Sequence, residues 1–129
     1  PLTVAMLDLD HFKAYNDRHG HPEGDNLLTA CARAWTACLA PPALLARYGG
    51  EEFAALMPGF QLDDARPVLD RLRAATPVGQ TVSIGCAERA PDEPIVQTLQ
   101  RADQALYTAK SSGRDRVVAH QPDRLEVEA

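Results

Sequence analysis

Two carboxylates stand where an apolar chain would be expected. Asp8 closes the run LTVAMLDL and shares a side of an extended chain with Val4 and Met6, because side chains alternate along a strand. Glu51 follows the paired glycines of RYGGEEF, residues 47–53. A carboxylate among apolar neighbours is costly unless a cation or hydrogen-bond donors meet it. If the first strand lies beside the Gly-Gly turn, Asp8 and Glu51 meet at one edge of a sheet. They then offer the hard oxygen ligands that Mg2+ or Mn2+ prefers. Taken singly, each is equally an ordinary strand-end or turn acid.

Cationic residues flank the same segments. Lys13 falls in the first turn of DHFKAYND, where a helix N-terminus and an ammonium together suit a phosphate; on a helix surface it is equally a plain lysine. Lys110 and Arg114, in AKSSGRDR, lie around a helix C-terminus, an end that favours cations without any ligand. Asn16 and Asp25 have groups that can read a base edge, the carboxylate accepting from guanine N1–H and N2–H. Both are equally at home as turn or cap residues. His11, His19, His21 and His120 show only the weak spacing His19-Gly-His21. No nucleophile–base order stands out and no GxxxxGK[ST] phosphate loop occurs. Types and spacing point to a metal and phosphate site, and no further.

Those residues need elements to hold them. Strands are expected over 2–9, 43–48, 53–57, 81–87 and 115–119, and helices over 10–18, 25–39, 62–75 and 95–112. Asp10 is placed as N-cap of the first helix, HGHPEGD as a turn, and Pro67 as tolerable only within the first turn of its helix. Gly49-Gly50 between apolar runs signals a hairpin. The order β-α-α-β-β-α-β-α-β suits an α+β, ferredoxin-like fold with a split βαβ arrangement and a mostly antiparallel five-stranded sheet. Helices are expected on one face, with the hairpin at the centre of the sheet. Residues 1–120 are expected to form one domain and 121–129 a polar, frayed tail.

Composition bounds the remaining possibilities. The chain has 129 residues, 45% hydrophobic and 24% charged, which suits one folded domain and not a disordered one. No run approaches the roughly 20 apolar residues of a membrane span, so no membrane contact by this domain is expected. The net charge of −5 speaks against a nucleic-acid polymer as partner. Cys31, Cys38 and Cys86 include no CxxC pair. Cys31 and Cys38 lie about 10 Å apart along a helix, too far for a bridge. Free thiols favour a cytoplasmic location. The chain opens directly in a strand, which leads to the expectation that it is a fragment of a longer protein.

Four stretches, DLDHFKAYNDRHGHPEGD, RYGGEEF, SIG and ADQALYTAKSSGRDR, resemble the motifs of the GGDEF family of diguanylate cyclases, in family order, over residues 7–116. The resemblance implies a palm-like nucleotidyl cyclase fold. It implies condensation of two GTP into cyclic di-GMP with release of two pyrophosphates. By carry-over, Asp8, Glu51 and Lys13 are catalytic. Asp8 and Glu51 hold the divalent metal, Mg2+ or Mn2+, with the Leu9 carbonyl as a further ligand. Asn16 and Asp25 match guanine-reading positions, and Lys13, Lys110 and Arg114 match triphosphate-holding ones. Gly49 and Gly50 admit the substrate to the hairpin backbone. Glu52 is a signature residue that alternation points away from Glu51.

The chain also departs from the family pattern. The positions of the inhibitory RxxD motif, residues 40–43, read APPA, so no product feedback through that site is expected. The usual segment before the first strand is missing, and a regulatory domain is expected in the full-length protein, with membrane tethering of that protein left open. Since each domain holds one GTP, catalysis is expected to require a homodimer. Two alternatives stand beside this reading. One is a catalytically silent module that senses GTP or cyclic di-GMP. The other is a cyclase for another dinucleotide, for which the carboxylate of Asp25 is ill suited.

Overall fold

The run LTVAMLDL is buried along almost its whole length, on both sides, and that places it in the middle of the sheet. In the computed structural model, which describes residues 1–121 and 124–128, the chain runs β1 (Leu2–Leu9), α1 (Phe12–His19), α2 (His21–Ala37), β2 (Leu44–Gly49), β3 (Glu52–Pro58), α3 (Leu62–Ala74), β4 (Val82–Glu88), α4 (Ile95–Ser111), β5 (Val117–Gln121) and β6 (Arg124–Glu128). The sheet order is β2-β3-β1-β4-β5-β6. β1 is antiparallel to both β3 and β4; β4 and β5 are parallel and joined through α4. The first four strands have the ferredoxin-like order, as expected.

Three expectations about the sheet need correction. The β2–β3 hairpin is not central. β3 lies against β1 and β2 forms the edge, with nearly every residue exposed, including Leu44 and Tyr48. Apolar composition alone does not separate an edge strand from an inner one; burial on both faces does, and β1 and β4 have it. Helices cover both faces, not one. Ala5, Leu7 and Leu9 of β1 join Phe53, Ile84, Trp35 of α2 and Leu69 of α3 in the larger core. Val4 and Met6 face the other way, onto Ala102 and Leu106 of α4. The sheet has six strands, because β6 pairs antiparallel with β5 inside the span read as a tail. Residues 122, 123 and 129 of that span lie outside the described residues.

The helices also differ in detail. α2 begins at His21, a turn earlier than expected, with Pro22 in its first turn, where a missing N–H costs nothing. Pro67 sits inside α3, beyond its first turn, in a helix whose start is secured by a Gln61–Asp64 capping box. Asp10 caps nothing: His11 occupies the N-cap of α1 in a left-handed conformation without a side-chain cap. None of the three cysteines is in a disulfide; Cys31 and Cys86 are buried and Cys38 is half-buried. Burial pushes the Cys31 thiol up to about 12.

Gly85 of β4 explains the SIG stretch. A Cβ there would stand 2.1 Å from the Leu106 backbone nitrogen and 2.3 Å from the Ala102 carbonyl oxygen. Glycine at 85 and alanines at 102, 105 and 109 let α4 lie directly on the sheet. That contact sets where Lys110, at the end of α4, meets the end of β1.

Candidate functional site

The end of β1, the turn between β2 and β3, the start of α1 and the end of α4 surround one cavity of about 180 Å3. Asp8, Leu9, Lys13, Glu51, Lys110 and Arg114 line it, as do Asp10, His11 and Phe12. The register explains the meeting. Asp8 stands opposite Glu52 of β3 and Ser83 of β4, and the Leu9 amide donates to the Glu51 carbonyl at 3.3 Å.

Asp8 is buried on the α4 side of the sheet and receives the Lys110 ammonium at 2.5 Å. Burial pushes the Asp8 carboxyl above the ordinary carboxylate range, and the charges of Glu51 and Asp10 push the same way; Lys110 opposes them. The Glu52 carboxyl is raised too, by burial and then by Asp8. The corner therefore concentrates negative charge against a single bonded ammonium and favours further cations. The oxygens that this lining can offer, from the carboxylates and from the backbone of Leu9, are all hard. That set fits Mg2+ or Mn2+ held by one or two carboxylates with the remaining ligands from phosphates and water. Among the described residues, no three His, Cys, Asp or Glu side chains gather into a closed metal cage.

Lys13 is exposed at the rim and bonds Asp17 at 3.1 Å. Gly50 is left-handed, with φ 51°; Gly49 is not. A Cβ on either would meet no protein atom within 4 Å, so the hairpin backbone is open to an approaching molecule. Asp25 lies elsewhere, in a separate groove of about 440 Å3 with Leu28, Thr29, Arg47 and Phe53. Asn16 lines neither space. It packs over Gly24 of α2, so closely that a Cβ on Gly24 would stand 1.6 Å from Asn16 Oδ1, an oxygen buried without a hydrogen-bond partner. The structure thus gathers the metal and phosphate candidates and leaves the two guanine candidates outside that cavity.

Asp10 is the site residue that sequence reasoning placed wrongly. Its carboxylate is buried and accepts from Ser83 Oγ at 2.6 Å, Thr81 Oγ1 at 2.7 Å and the Asp115 amide at 3.1 Å. It ties β1 to the start of β4 and to the loop after α4. The i, i+2 spacing puts Asp8 and Asp10 on one side of an extended chain, but it does not tell which donors Asp10 meets.

The model of the family described as diguanylate cyclase, GGDEF domain, matches residues 1–116. The chain is 41% identical over 126 residues to the diguanylate cyclase DgcP of Pseudomonas aeruginosa, covering 90% of this chain and 19% of DgcP. It is 39% identical over 124 residues to DgcM of Escherichia coli K12, covering 91% of this chain and 30% of DgcM. It therefore spans less than a third of these curated relatives. Among solved structures it is similar to the GGDEF domain of DgcB from Caulobacter crescentus in complex with c-di-GMP, with TM-score 0.85, 38% identity, and coverage of 92% of this chain and 77% of that one. It is also similar to the Pseudomonas aeruginosa diguanylate cyclase SiaD in complex with its activator SiaC, with TM-score 0.87, 44% identity, and coverage of 92% and 49%.

Proposed function

The chain belongs to the GGDEF family of diguanylate cyclases, and from that premise we propose that it condenses two GTP into cyclic di-GMP and two pyrophosphates. The observation that carries the reading is the cavity lined together by Asp8, Leu9, Glu51, Lys13, Lys110 and Arg114, next to the open glycine turn. The 3′-hydroxyl oxygen of one GTP attacks the α-phosphorus of the other. The bond to the β-phosphate oxygen breaks, pyrophosphate leaves, and the hydroxyl proton is released. A second such step closes the ring.

Asp8, Glu51 and the Leu9 carbonyl would hold the divalent cation, Mg2+ or Mn2+. Bound there, it would lower the pKa of the attacking hydroxyl and offset charge on the α-phosphate. Lys13 and Arg114 orient the triphosphate in line for displacement. Lys110 holds Asp8 and lines the cavity in which the triphosphate would lie. Asp25 reads the guanine, the base lying in the groove beside Arg47 and Phe53, and Asn16 joins it once its side chain turns away from Gly24. Gly49 and Gly50 let the nucleotide lie against the backbone. One domain presents one nucleotide, so two domains must face each other. Residues 40–43, APPA, supply no charged side chain for the RxxD product site, and feedback through that site is not expected.

The test is incubation with GTP and Mg2+ over a range of protein concentrations, with products separated and identified by mass, beside Asp8→Ala and Glu51→Ala. Cyclic di-GMP that rises steeply with protein concentration and vanishes in both variants supports the proposal. Tight GTP binding with no product, even from a forced dimer, would establish the silent sensor instead.

A further inference from the structure

The loop that presents Arg114 is held in an unfavourable backbone conformation. Gly113, Arg114 and Asp115 have φ of 121°, 64° and 48°, three positive values in succession. Glycine takes such a conformation freely. The two side-chain-bearing residues do so only at an energetic cost. Backbone of this kind persists only where its surroundings over-determine it. Here they do. The Arg114 amide donates to the Ala109 carbonyl at 3.0 Å, and Arg116 Nε donates to the Arg114 carbonyl at 3.0 Å. Asp115 is gripped twice: Asp10 accepts from its amide, and Arg73 Nη1 donates to its carboxylate at 2.9 Å.

Arg73 is the unexpected member. It lies in the last turn of α3, outside the cavity that Arg114 lines. Its Nε is anchored at 2.9 Å by Asp70, one turn earlier, which aims the guanidinium at the loop. Its side chain is largely buried, and the two carboxylates hold it firmly charged, above its already high ordinary pKa.

We propose that Arg73 is a positioning residue for the phosphate cavity: through Asp115 it fixes the left-handed backbone that carries Arg114 to the site. A contact on the back of the domain then sets the placement of a cation at the front. What Arg114 holds rests on the nucleotide reading above; that Arg73 fixes the loop does not.

Two readouts on the whole chain separate these parts. The first is trypsin cleavage after Arg114, mapped by mass, well below the melting temperature of each protein. The second is binding of an α,β-methylene GTP analogue with Mg2+. Arg73→Met keeps the aliphatic stem and removes the donors. Cleavage at Arg114 accelerates, and analogue affinity falls about tenfold, the size of one lost charged hydrogen bond. Arg73→Lys restores part of both. In an Arg114→Ala background, adding Arg73→Met weakens binding no further, because both act through one contact. Should Arg73→Met not fold, Asp115→Ala removes the same contact from the other side and is read in the same way. Unchanged affinity in Arg73→Met, or a loss that adds fully to that of Arg114→Ala, overturns the proposal. A wild-type protein that binds no analogue defeats the nucleotide reading, and with it the role given to Arg114, while the cleavage rates still decide whether Arg73 fixes the loop.

Discussion

Gly49 is where fold and chemistry make different demands. Its backbone is not left-handed and a Cβ would touch nothing, so the fold does not need a glycine there. Gly50, with its positive φ, is a glycine the turn itself requires. Gly49→Ala should leave unfolding within about 0.5 kcal/mol of wild type. Cyclic di-GMP formation should drop by about tenfold or more, because a methyl group intrudes where the nucleotide lies against the backbone. Equal activity would remove the close-approach argument. Glu93 gives a second residue-scale test. Its hydrogen bonds from Arg101, then from Thr98 and the Ala90 amide, hold its carboxyl down at about 2, below the ordinary 4.5. A lowered carboxylate stabilises the fold fully above its unfolded pKa and loses that contribution as pH falls toward the folded value. Melting temperature should therefore fall between about pH 4.5 and pH 2. Glu93→Gln should show a smaller fall over that window; identical acid limbs would show that the network is not linked to folding.

At the scale of elements, the contact between α4 and β4 carries the site. Lys110 reaches Asp8 only because α4 lies directly on Gly85. Backbone atoms at 2.1 and 2.3 Å from the position of a Cβ cannot step aside as a flexible side chain could. Gly85→Ala must lift the helix. A cost of roughly 1–3 kcal/mol is expected, or more if the helix cannot relax, with a melting temperature lower by roughly 5–15 °C. Activity measured well below that temperature should fall as well, since Lys110 moves with the helix. A variant as stable as wild type would mean that this contact is looser than the geometry gives.

For the whole molecule, the proposed reaction joins two nucleotides, while the cavity lined by Asp8 and Glu51 is proposed to hold one. Rate per protomer should thus fall on dilution, in proportion to protein once dimers are scarce, and recover in a forced dimer. A rate per protomer that stays flat through the nanomolar range would break the two-domain requirement. Among the described residues no helix is long and apolar enough to cross a membrane. The chain spans about a fifth of DgcP and under a third of DgcM.

Much of this was legible in the sequence because it is local. Strand and helix periodicity, the Gly-Gly turn and the order of four motifs are read over a few residues each, and they pointed to the ferredoxin-like sheet and to Asp8, Glu51, Lys13, Lys110 and Arg114 as partners in one site. Tertiary structure alone decided the rest. Asp8 and Lys110 bond across 102 positions of chain, and Asp10 meets Asp115 across 105. Nothing in DLD says whether the second aspartate caps a helix or collects three donors from distant strands and loops. Likewise the apolar runs of β2 and β1 look alike in sequence, yet one is an exposed edge and the other is covered on both faces. Periodicity fixes which residues share a side of an element; which element then covers that side is settled only by packing.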